Sequence, residues 1–191
     1  MALCLISFVI EMITIISGSN RKNNKTLHFA KHAYEKLCLE TTEEVRFLDL
    51  STIVGNVVYE NMYRDSQQPK IIQDIQNNYF IPSSKFWFFI PEYNGSYPGI
   101  VKLLLDIMSV REIKPSFNNK KACITGIASG RAGNLRGMDH LADVLNHLGI
   151  HVHPNKNPIS SIFKILNSED NSINDDAEKT IQNQIIQLLK F

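Results

Sequence analysis

The sequence predicts an α/β fold in which five parallel strands form one sheet with helices on both faces. Short β-branched or aromatic runs alternate with longer segments at helical spacing, which is the pattern of βα units. The run KFWFFI at 85–90 is apolar on both sides, as expected for a central strand covered on both faces. The chain of 191 residues is long enough for one domain with a sizeable core.

In the first half of the chain, MITIISG and EVRFLDL are predicted as the first two strands, at 12–18 and 44–50. A helix is predicted between them at 24–39. Its apolar residues at helical spacing are Leu27, Ala30, Tyr34, Leu37 and Cys38. The segment 51–67 is predicted to be a loop, and a second helix is predicted within 68–80.

In the second half, three strands alternate with three helices. The strands are predicted at 85–90, 120–127 and 149–153, and the helices at 98–109, 134–148 and 174–190. Five such units suggest the flavodoxin-like strand order 2-1-3-4-5. Ligands of these sheets bind at the carboxyl ends of the strands, where the strand order reverses. We therefore expect the loops after strands 1, 3 and 4 to converge.

The charge balance excludes several classes of partner. The chain has 20 basic and 19 acidic side chains and a formal net charge of +1. Bulk binding to nucleic acid or to an anionic membrane surface requires a basic excess, so neither is predicted. The net charge of +1 also argues against the strongly acidic surface of an electron carrier.

The domain is predicted to span 12–191, and residues 1–11 are interpreted as an N-terminal extension of undefined structure. Glu11 interrupts the apolar start, which lacks the features of a signal peptide or a membrane span. Three scattered cysteines, one of them Cys38, predict unpaired thiols packed as small core residues. These features favour a cytoplasmic protein.

The first loop, GSNRKNNKT, begins at Gly18 and leads into a helix. A helix N-terminus presents unpaired N–H groups and partial positive charge, which suit a phosphate. The side chains that can bind a phosphate here are Ser19, Arg21, Asn24 and Thr26. An ordinary capped turn is the alternative interpretation. The loop lacks GxxxxGK[ST], which argues against nucleoside triphosphate chemistry.

The second loop, PEYNGSYPG, begins at Pro91, directly after the most apolar strand. Asn94 and Gly95 are a strong turn signal, so turn chemistry alone is one interpretation. Glu92 and Tyr93, however, are predicted to project from the ligand-binding edge of the sheet. Tyr93 can pack on a flat ring, and backbone N–H groups can bond to the heteroatoms of that ring.

The third loop, GIASGRAGNLRG, follows the fourth strand. Glycines allow the backbone to approach a ligand closely, and they lie at Gly126, Gly130 and Gly133. The polar side chains of this loop that can bind a ligand are Ser129, Arg131 and Arg136. The loop does not match GxGxxG, so its position after strand 4 carries most of the information.

These loops resemble those of the NADPH-dependent FMN reductase family over roughly residues 12–190. GSNRKNNKT is similar to the GSxRxxS phosphate loop, and PEYNGSYPGIVKLLLD to the PEYNxSxPGxLKNAID signature of that family. SGRAGNLRG is similar to its glycine-rich flavin loop. Two departures are Asn24, in place of the last serine of GSxRxxS, and Asn134, where a second glycine is common.

The resemblance implies noncovalently bound FMN, with NADPH or NADH as the reductant and a quinone, azo compound or free flavin as the small acceptor. The resemblance implies that the FMN phosphate is held by Ser19, Arg21, Asn24 and Thr26. It implies that the isoalloxazine ring is bordered by Pro91, Glu92, Tyr93, Asn94 and Gly95. The opposite side of the ring would be closed by Ser129, Gly130, Arg131 and Gly133. No side chain is predicted to be catalytic, because the flavin carries the hydride transfer. A homodimer or homotetramer is implied as well.

Two other functions remain open at this point. A flavodoxin-type electron carrier would bind FMN without NAD(P)H activity. Flavodoxins are strongly acidic and hold phosphate with hydroxyls, so the net charge of +1 and Arg21 favour the enzyme. A nonenzymatic flavin-binding protein is the third possibility, and no feature of the sequence supports it.

No metal site is predicted. His28 and His32 are four residues apart on the first helix but lack an HExxH motif, so we interpret them as part of a solvated face. His151 and His153 share one side of the fifth strand without further ligands nearby in the sequence.

Overall fold

The computed structural model describes residues 11–167 and 172–191. Its centre is a parallel sheet with the order β2-β1-β3-β4-β5, which confirms the predicted order. Helices cover both faces, as predicted. The first four strands are β1 at Met12–Ser17, β2 at Glu44–Asp49, β3 at Lys85–Pro91 and β4 at Lys121–Ile127.

The fifth position of the sheet differs from the single strand that the sequence predicts. Two short strands share it: β5 at His151–Val152 pairs with the start of β4, and β6 at Asn157–Ile159 pairs with its end. Pro154 lies between them and has no N–H with which to continue the ladder. The edge of the sheet is therefore split, and the second piece lies beside the third loop.

Strand β3 is buried along its whole length, as its apolar sequence predicts. Phe86 and Phe88 pack into the core on one face of the sheet, whereas Trp87 and Phe89 pack into the core on the other. Alternate side chains of a strand point to opposite faces, so this one strand supplies aromatic groups to both cores. The indole N–H of Trp87 donates to Thr125 Oγ1 at 2.9 Å.

The four long helices lie where the sequence predicts them, within about two residues at each end. They are α1 at Lys25–Glu40, α3 at Gly99–Met108, α5 at Leu135–His147 and α7 at Asp175–Lys190. Helices α1 and α7 cover one face of the sheet, and α3 and α5 cover the other. None of the helices in the described ranges is long and apolar enough to cross a lipid bilayer.

The helix predicted within 68–80 changes its winding part-way. It begins as α2 at Lys70–Ile75 and continues as a π-helical turn at Gln76–Phe80. The buried amide of Gln76 donates to Met108 O at 2.9 Å and to Ser116 Oγ at 2.8 Å. These tertiary bonds accompany the widened turn, which the sequence pattern of the helix does not reveal.

Two short helices are additions to the predicted set: α4 at Ile113–Phe117 and α6 at Ile162–Ile165. Each is at most five residues long, too short for a periodic pattern to identify. The predicted loop at 51–67 is irregular and includes short 3₁₀ turns, the last at Asp65–Gln67.

Two expectations about single side chains are wrong. Cys38 is exposed. The buried face of α1 contains Ala30 and Leu37, as predicted, together with Thr26, Phe29 and Ala33. Cys123 is buried, and both thiols are free. His32 is not simply solvated, because its Nε2 contacts Glu178 on α7. Cys4 and most of the predicted N-terminal extension lie outside the described residues.

Candidate functional site

A cleft of about 520 Å³ opens at the carboxyl edge of the sheet. The loops after β1, β3 and β4 converge there, which is the arrangement expected at the point where the strand order reverses. Its volume lies within the range of about 300–1,000 Å³ typical of cofactor and small-ligand sites. The lining residues are Arg21, Lys22, Asn23, Asn24, Lys25, Thr26, Pro91, Glu92, Tyr93, Ile127, Ala128, Ser129, Gly130, Ile162 and Phe163.

Close packing fixes the start of the first loop. The Gly18 N–H donates to Phe89 O at 2.8 Å, which joins the end of β1 to β3. A Cβ at this position would lie 2.9 Å from Cγ2 of Val101 and 3.1 Å from Phe89 O. The loop therefore needs glycine where it passes over the neighbouring strand.

Asn24 caps helix α1. Its Oδ1 accepts from the Leu27 N–H at 2.8 Å, and its Nδ2 donates to Arg21 O at 2.7 Å. Both ends of the amide are thus used within the turn, as in an ordinary capped turn. Asn24 shapes the loop, and its direct contact with a phosphate stays a prediction.

Tyr93 links the first and second loops across the cleft. Its hydroxyl lies 3.1 Å from Ser19 Oγ, and the Arg21 guanidinium carbon lies 5.2 Å from the centre of its ring. The second contact has the geometry of a cation–π interaction. Ser19 itself is fully buried and lies behind the cleft rather than on its surface.

The second loop contains a tight turn. The N–H of Tyr93 donates to Ser96 O at 2.9 Å, and the N–H of Ser96 donates to Tyr93 O at 3.1 Å. Asn94 and Gly95 between them have φ values of 51° and 77°, as two-residue turns require. Ser96 Oγ lies 2.9 Å from Nδ1 of His140, which ties this turn to α5.

The third loop folds back on the end of β4. A Cβ on Gly126 would lie 2.2 Å from Gly133 O, and one on Gly133 would lie 2.4 Å from the Cβ of Pro158. Asn134 adopts a φ of 66° and donates through Nδ2 to Pro91 O at 2.9 Å. The asparagine that departs from the family pattern therefore joins the third loop to the end of β3.

The structure brings together eight of the thirteen predicted site residues on the cleft surface. They are Arg21, Asn24, Thr26, Pro91, Glu92, Tyr93, Ser129 and Gly130. The other five lie close to the cleft in the chain without lining it: Ser19, Asn94, Gly95, Arg131 and Gly133. Of these, Asn94, Gly95 and Gly133 have positive φ, so the structure gives them a role in shaping their loops.

Sequence reasoning missed several residues of the cleft. Lys22 and Lys25 lie between predicted residues of the first loop, and their charge was the available signal. Ile162 and Phe163 belong to α6, which the sequence does not predict. The only signal for that helix is the pair of serines that precedes an apolar pair at 160–163, a weak helix start.

The cleft has two chemically different ends. Arg21 and Lys22 lie beside the N-terminus of the 16-residue helix α1, so this end attracts an anion. Ala128, Ile162 and Phe163 supply apolar surface at the other end. Neither the Ser129 N–H nor the Gly130 N–H donates to another group in the described ranges, so both are available to a ligand. The residues fit a flat, phosphorylated molecule.

The sequence model of the NADPH-dependent FMN reductase family matches residues 12–163, which is most of the chain. The chain belongs to this family. The protein is therefore an NAD(P)H-dependent oxidoreductase that uses FMN as its cofactor and passes electrons to a small-molecule acceptor. No curated protein is similar enough in sequence to match it.

Solved structures show the same fold. An NADH:FMN oxidoreductase (EMOB) in its apo form is 19% identical with a TM-score of 0.69, and the match covers 93% of this chain and 88% of that one. The NAD(P)H:(acceptor) oxidoreductase FerB from Paracoccus denitrificans is 20% identical with a TM-score of 0.69, covering 95% and 96%. The NAD(P)H:quinone oxidoreductase from Methanothermobacter marburgensis is 12% identical with a TM-score of 0.63, covering 92% of each chain.

Within the part of the chain that the structure describes, no three His, Cys, Asp or Glu side chains come together as metal ligands would. The exposed carboxylate of Glu92 is the one acidic group among the residues that line the cleft. The site therefore offers cations, hydroxyls and backbone N–H groups, which bind and orient a ligand rather than attack it.

Proposed function

We propose that the cleft holds FMN with its phosphate at the first loop and its ring between the second and third loops. The domain that does so spans 12–191. The proposed phosphate contacts are Ser19, Arg21, Asn24 and Thr26, of which the last three line the cleft and Ser19 lies buried against Tyr93. The proposed borders of the ring are Pro91, Glu92, Tyr93, Asn94 and Gly95 on one side and Ser129, Gly130, Arg131 and Gly133 on the other.

The observation that carries this proposal is the convergence of three sequence-distant loops on one cleft with an anion-binding end. Helix α1 directs its N-terminus at that end, and Arg21 adds a permanent positive charge. The apolar end and the free N–H groups of Ser129 and Gly130 suit a flat ring with hydrogen-bond acceptors. No single loop supplies all of these features.

The protein's own residues bind and orient. Arg21 holds the phosphate end and so fixes how deeply the ring enters the cleft. Tyr93 forms one wall, and its hydroxyl contact with Ser19 keeps the first and second loops at a fixed separation. The N–H groups of Ser129 and Gly130 stabilise negative charge on the ring. When bound, FMN supplies the capacity to accept electrons from NAD(P)H and to deliver them to the acceptor.

The acceptor class is inferred as a quinone, an azo compound or a free flavin. One similar structure is named as a quinone oxidoreductase and another as an azoreductase from Bacillus anthracis, and these names support the class. We also propose a cytoplasmic location, since the thiols of Cys38 and Cys123 are free.

A homodimer or homotetramer is proposed from family likeness alone. The apolar helix α3 adds no support, because its apolar side chains pack into the core of the same chain. Sedimentation velocity of the purified protein with FMN tests this proposal, and a single species of 21.8 kDa would contradict it.

The decisive experiment for the cofactor site is titration of the apo-protein with FMN. Arg21→Ala is expected to weaken binding roughly 10- to 100-fold, because a charge-assisted hydrogen bond to phosphate contributes about 1.5–3 kcal/mol. Arg64→Ala is the matched control, since Arg64 is exposed and is not among the residues that line the cleft. Equal affinity in the two variants would remove Arg21 from this role.

The same preparation distinguishes the enzyme from an electron carrier. Mixing the FMN-loaded protein with NADPH and a quinone should oxidise NADPH rapidly, whereas a carrier would leave it unchanged. Replacing NADPH by NADH in a parallel reaction determines which reductant the protein prefers.

A further inference from the structure

Phe163 is an exposed aromatic side chain on the wall of the cleft. It is 74% exposed, whereas its neighbour Ile162 is only 7% exposed and packs into the core. Both residues line the cleft. Exposure of a phenyl ring to water is energetically unfavourable, and a ligand that covered the ring would gain the free energy of burying its apolar surface.

The backbone holds Phe163 against the third loop. The N–H of Ser161 donates to Gly130 O at 3.1 Å, and the N–H of Ile162 donates to Ala128 O at 3.3 Å. Just upstream, the Ala128 N–H donates to Ile159 O at 3.1 Å. The segment that carries Phe163 is therefore bonded at three points to the loop that closes one side of the cleft.

The start of α6 has a defined backbone conformation. Ser161, between β6 and α6, adopts the left-handed conformation with a φ of 54°. The buried Ile162 side chain then anchors the helix beside the apolar residues of α1 and α7. The backbone hydrogen bonds and the buried side chain of Ile162 therefore hold Phe163 in a defined position at the cleft.

We propose that Phe163 packs against the flavin ring and covers it on the side of α6. This inference rests on the proposed function. The third loop is the part of the cleft proposed to close over the ring, and Phe163 is attached to that loop rather than to the phosphate end. A phenyl ring against a flat heteroaromatic ring gains from apolar burial and from stacking, and it keeps water off the ring.

The test is affinity measured on the apo-protein with two ligands, FMN and riboflavin, which share the ring and differ in the phosphate. Phe163→Ala is expected to weaken binding of both by the same factor, roughly 5- to 30-fold. Phe163→Trp should bind both as tightly as the unchanged protein, because it retains an aromatic surface. Leu39→Ala is the control, since Leu39 is 85% exposed at the far end of α1.

The outcomes separate this inference from the proposed function. If the unchanged protein binds FMN, and Phe163→Ala binds FMN and riboflavin as tightly as the unchanged protein does, the inference is wrong and the cofactor site stands. A loss confined to FMN would place the contact at the phosphate and would also overturn it. Failure of the unchanged protein to bind FMN would overturn both. Thermal melting of the apo variants checks that the exposed substitutions leave the fold intact.

Discussion

At the scale of single residues, the shape of the third loop depends on positions that have no room for a side chain. Gly126, the residue before the last one of β4, lies against the carbonyl group of Gly133, and the sulfur of Met138 lies 3.0 Å from where its Cβ would be. The carbonyl belongs to the backbone of the same loop, so it cannot move without moving the loop. Gly130, four residues later, has nothing within 4 Å of the equivalent point.

We predict that Gly126→Ala lowers the thermal midpoint markedly, because a methyl group 2.2 Å from Gly133 O forces the loop to shift. A destabilisation of about 2–4 kcal/mol is expected for overpacking against backbone. Gly130→Ala is the control in the same loop and should change stability by less than about 1 kcal/mol. Equal midpoints for the two variants would show that the loop relaxes freely around residue 126.

The cleft residues show how far residue-level prediction reaches. Eight of the thirteen predicted residues line the cleft, because their loops follow strands that the sequence pattern identifies. Phe163 could not be found that way, because its position depends on the pairing of β6 with β4 and on bonds to the third loop. Ser19, conversely, has the right chemistry, but its hydroxyl is buried against Tyr93.

At the scale of elements, long strands and helices follow from the pattern, whereas short ones follow from tertiary contacts. Strand β3 could be predicted because every residue in it is buried. The π-helical turn could not, because the bonds that accompany it run from Gln76 to α3 and α4. The split edge strand depends on Pro154, whose effect becomes clear only when its neighbour strand is known.

A buried lysine joins the π-helical turn to β4. The Lys120 ammonium donates to the carbonyl oxygens of Phe80 and Ile81, the second at 2.8 Å, and lies 5.7 Å from the centre of the Phe86 ring. The residue is 7% exposed, and burial lowers the pKa of its side chain to about 8 from the ordinary 10.5. Burying the charged form therefore costs folding free energy.

We predict that Lys120 makes stability rise with pH between about 8 and 10.5. Below pH 8 the amine is charged in both the folded and unfolded proteins, so folding carries the full cost of burying the charge. Above pH 10.5 it is neutral in both and the cost is gone. The measurement is the free energy of unfolding by urea across this range for the unchanged protein and for Lys120→Met.

The difference in unfolding free energy between these two proteins should change by up to about 3 kcal/mol over that window. Other groups that titrate there cancel in the difference. Lys114→Met serves as the control for the loss of a lysine side chain, because Lys114 is an exposed residue of α4. A flat difference for Lys120→Met would mean that its amine remains well solvated in the folded protein.

At the scale of the whole molecule, the amino edge of the sheet, where the strands begin, and the carboxyl edge, where they end, have different functions. The amino edge carries the lysine contacts that join elements, such as Lys85 Nζ at 3.4 Å from Leu189 O, while the carboxyl edge carries the cleft. Along β3 the two edges are about 20 Å apart. The alternation of strands and helices predicted the parallel sheet, and the order 2-1-3-4-5, which five βα units suggested, brings the three loops together.

Because the cleft loops continue directly from β1, β3 and β4, a bound cofactor stabilises the molecule as a whole. FMN at 100 times its dissociation constant should add about 2.7 kcal/mol to the free energy of unfolding. For a chain of this length that raises the thermal midpoint by about 5–11 °C. Arg21→Ala at the same FMN concentration should show half of this rise or less, and inorganic phosphate alone should not reproduce it. An unchanged midpoint for the wild-type protein would contradict tight binding at this cleft.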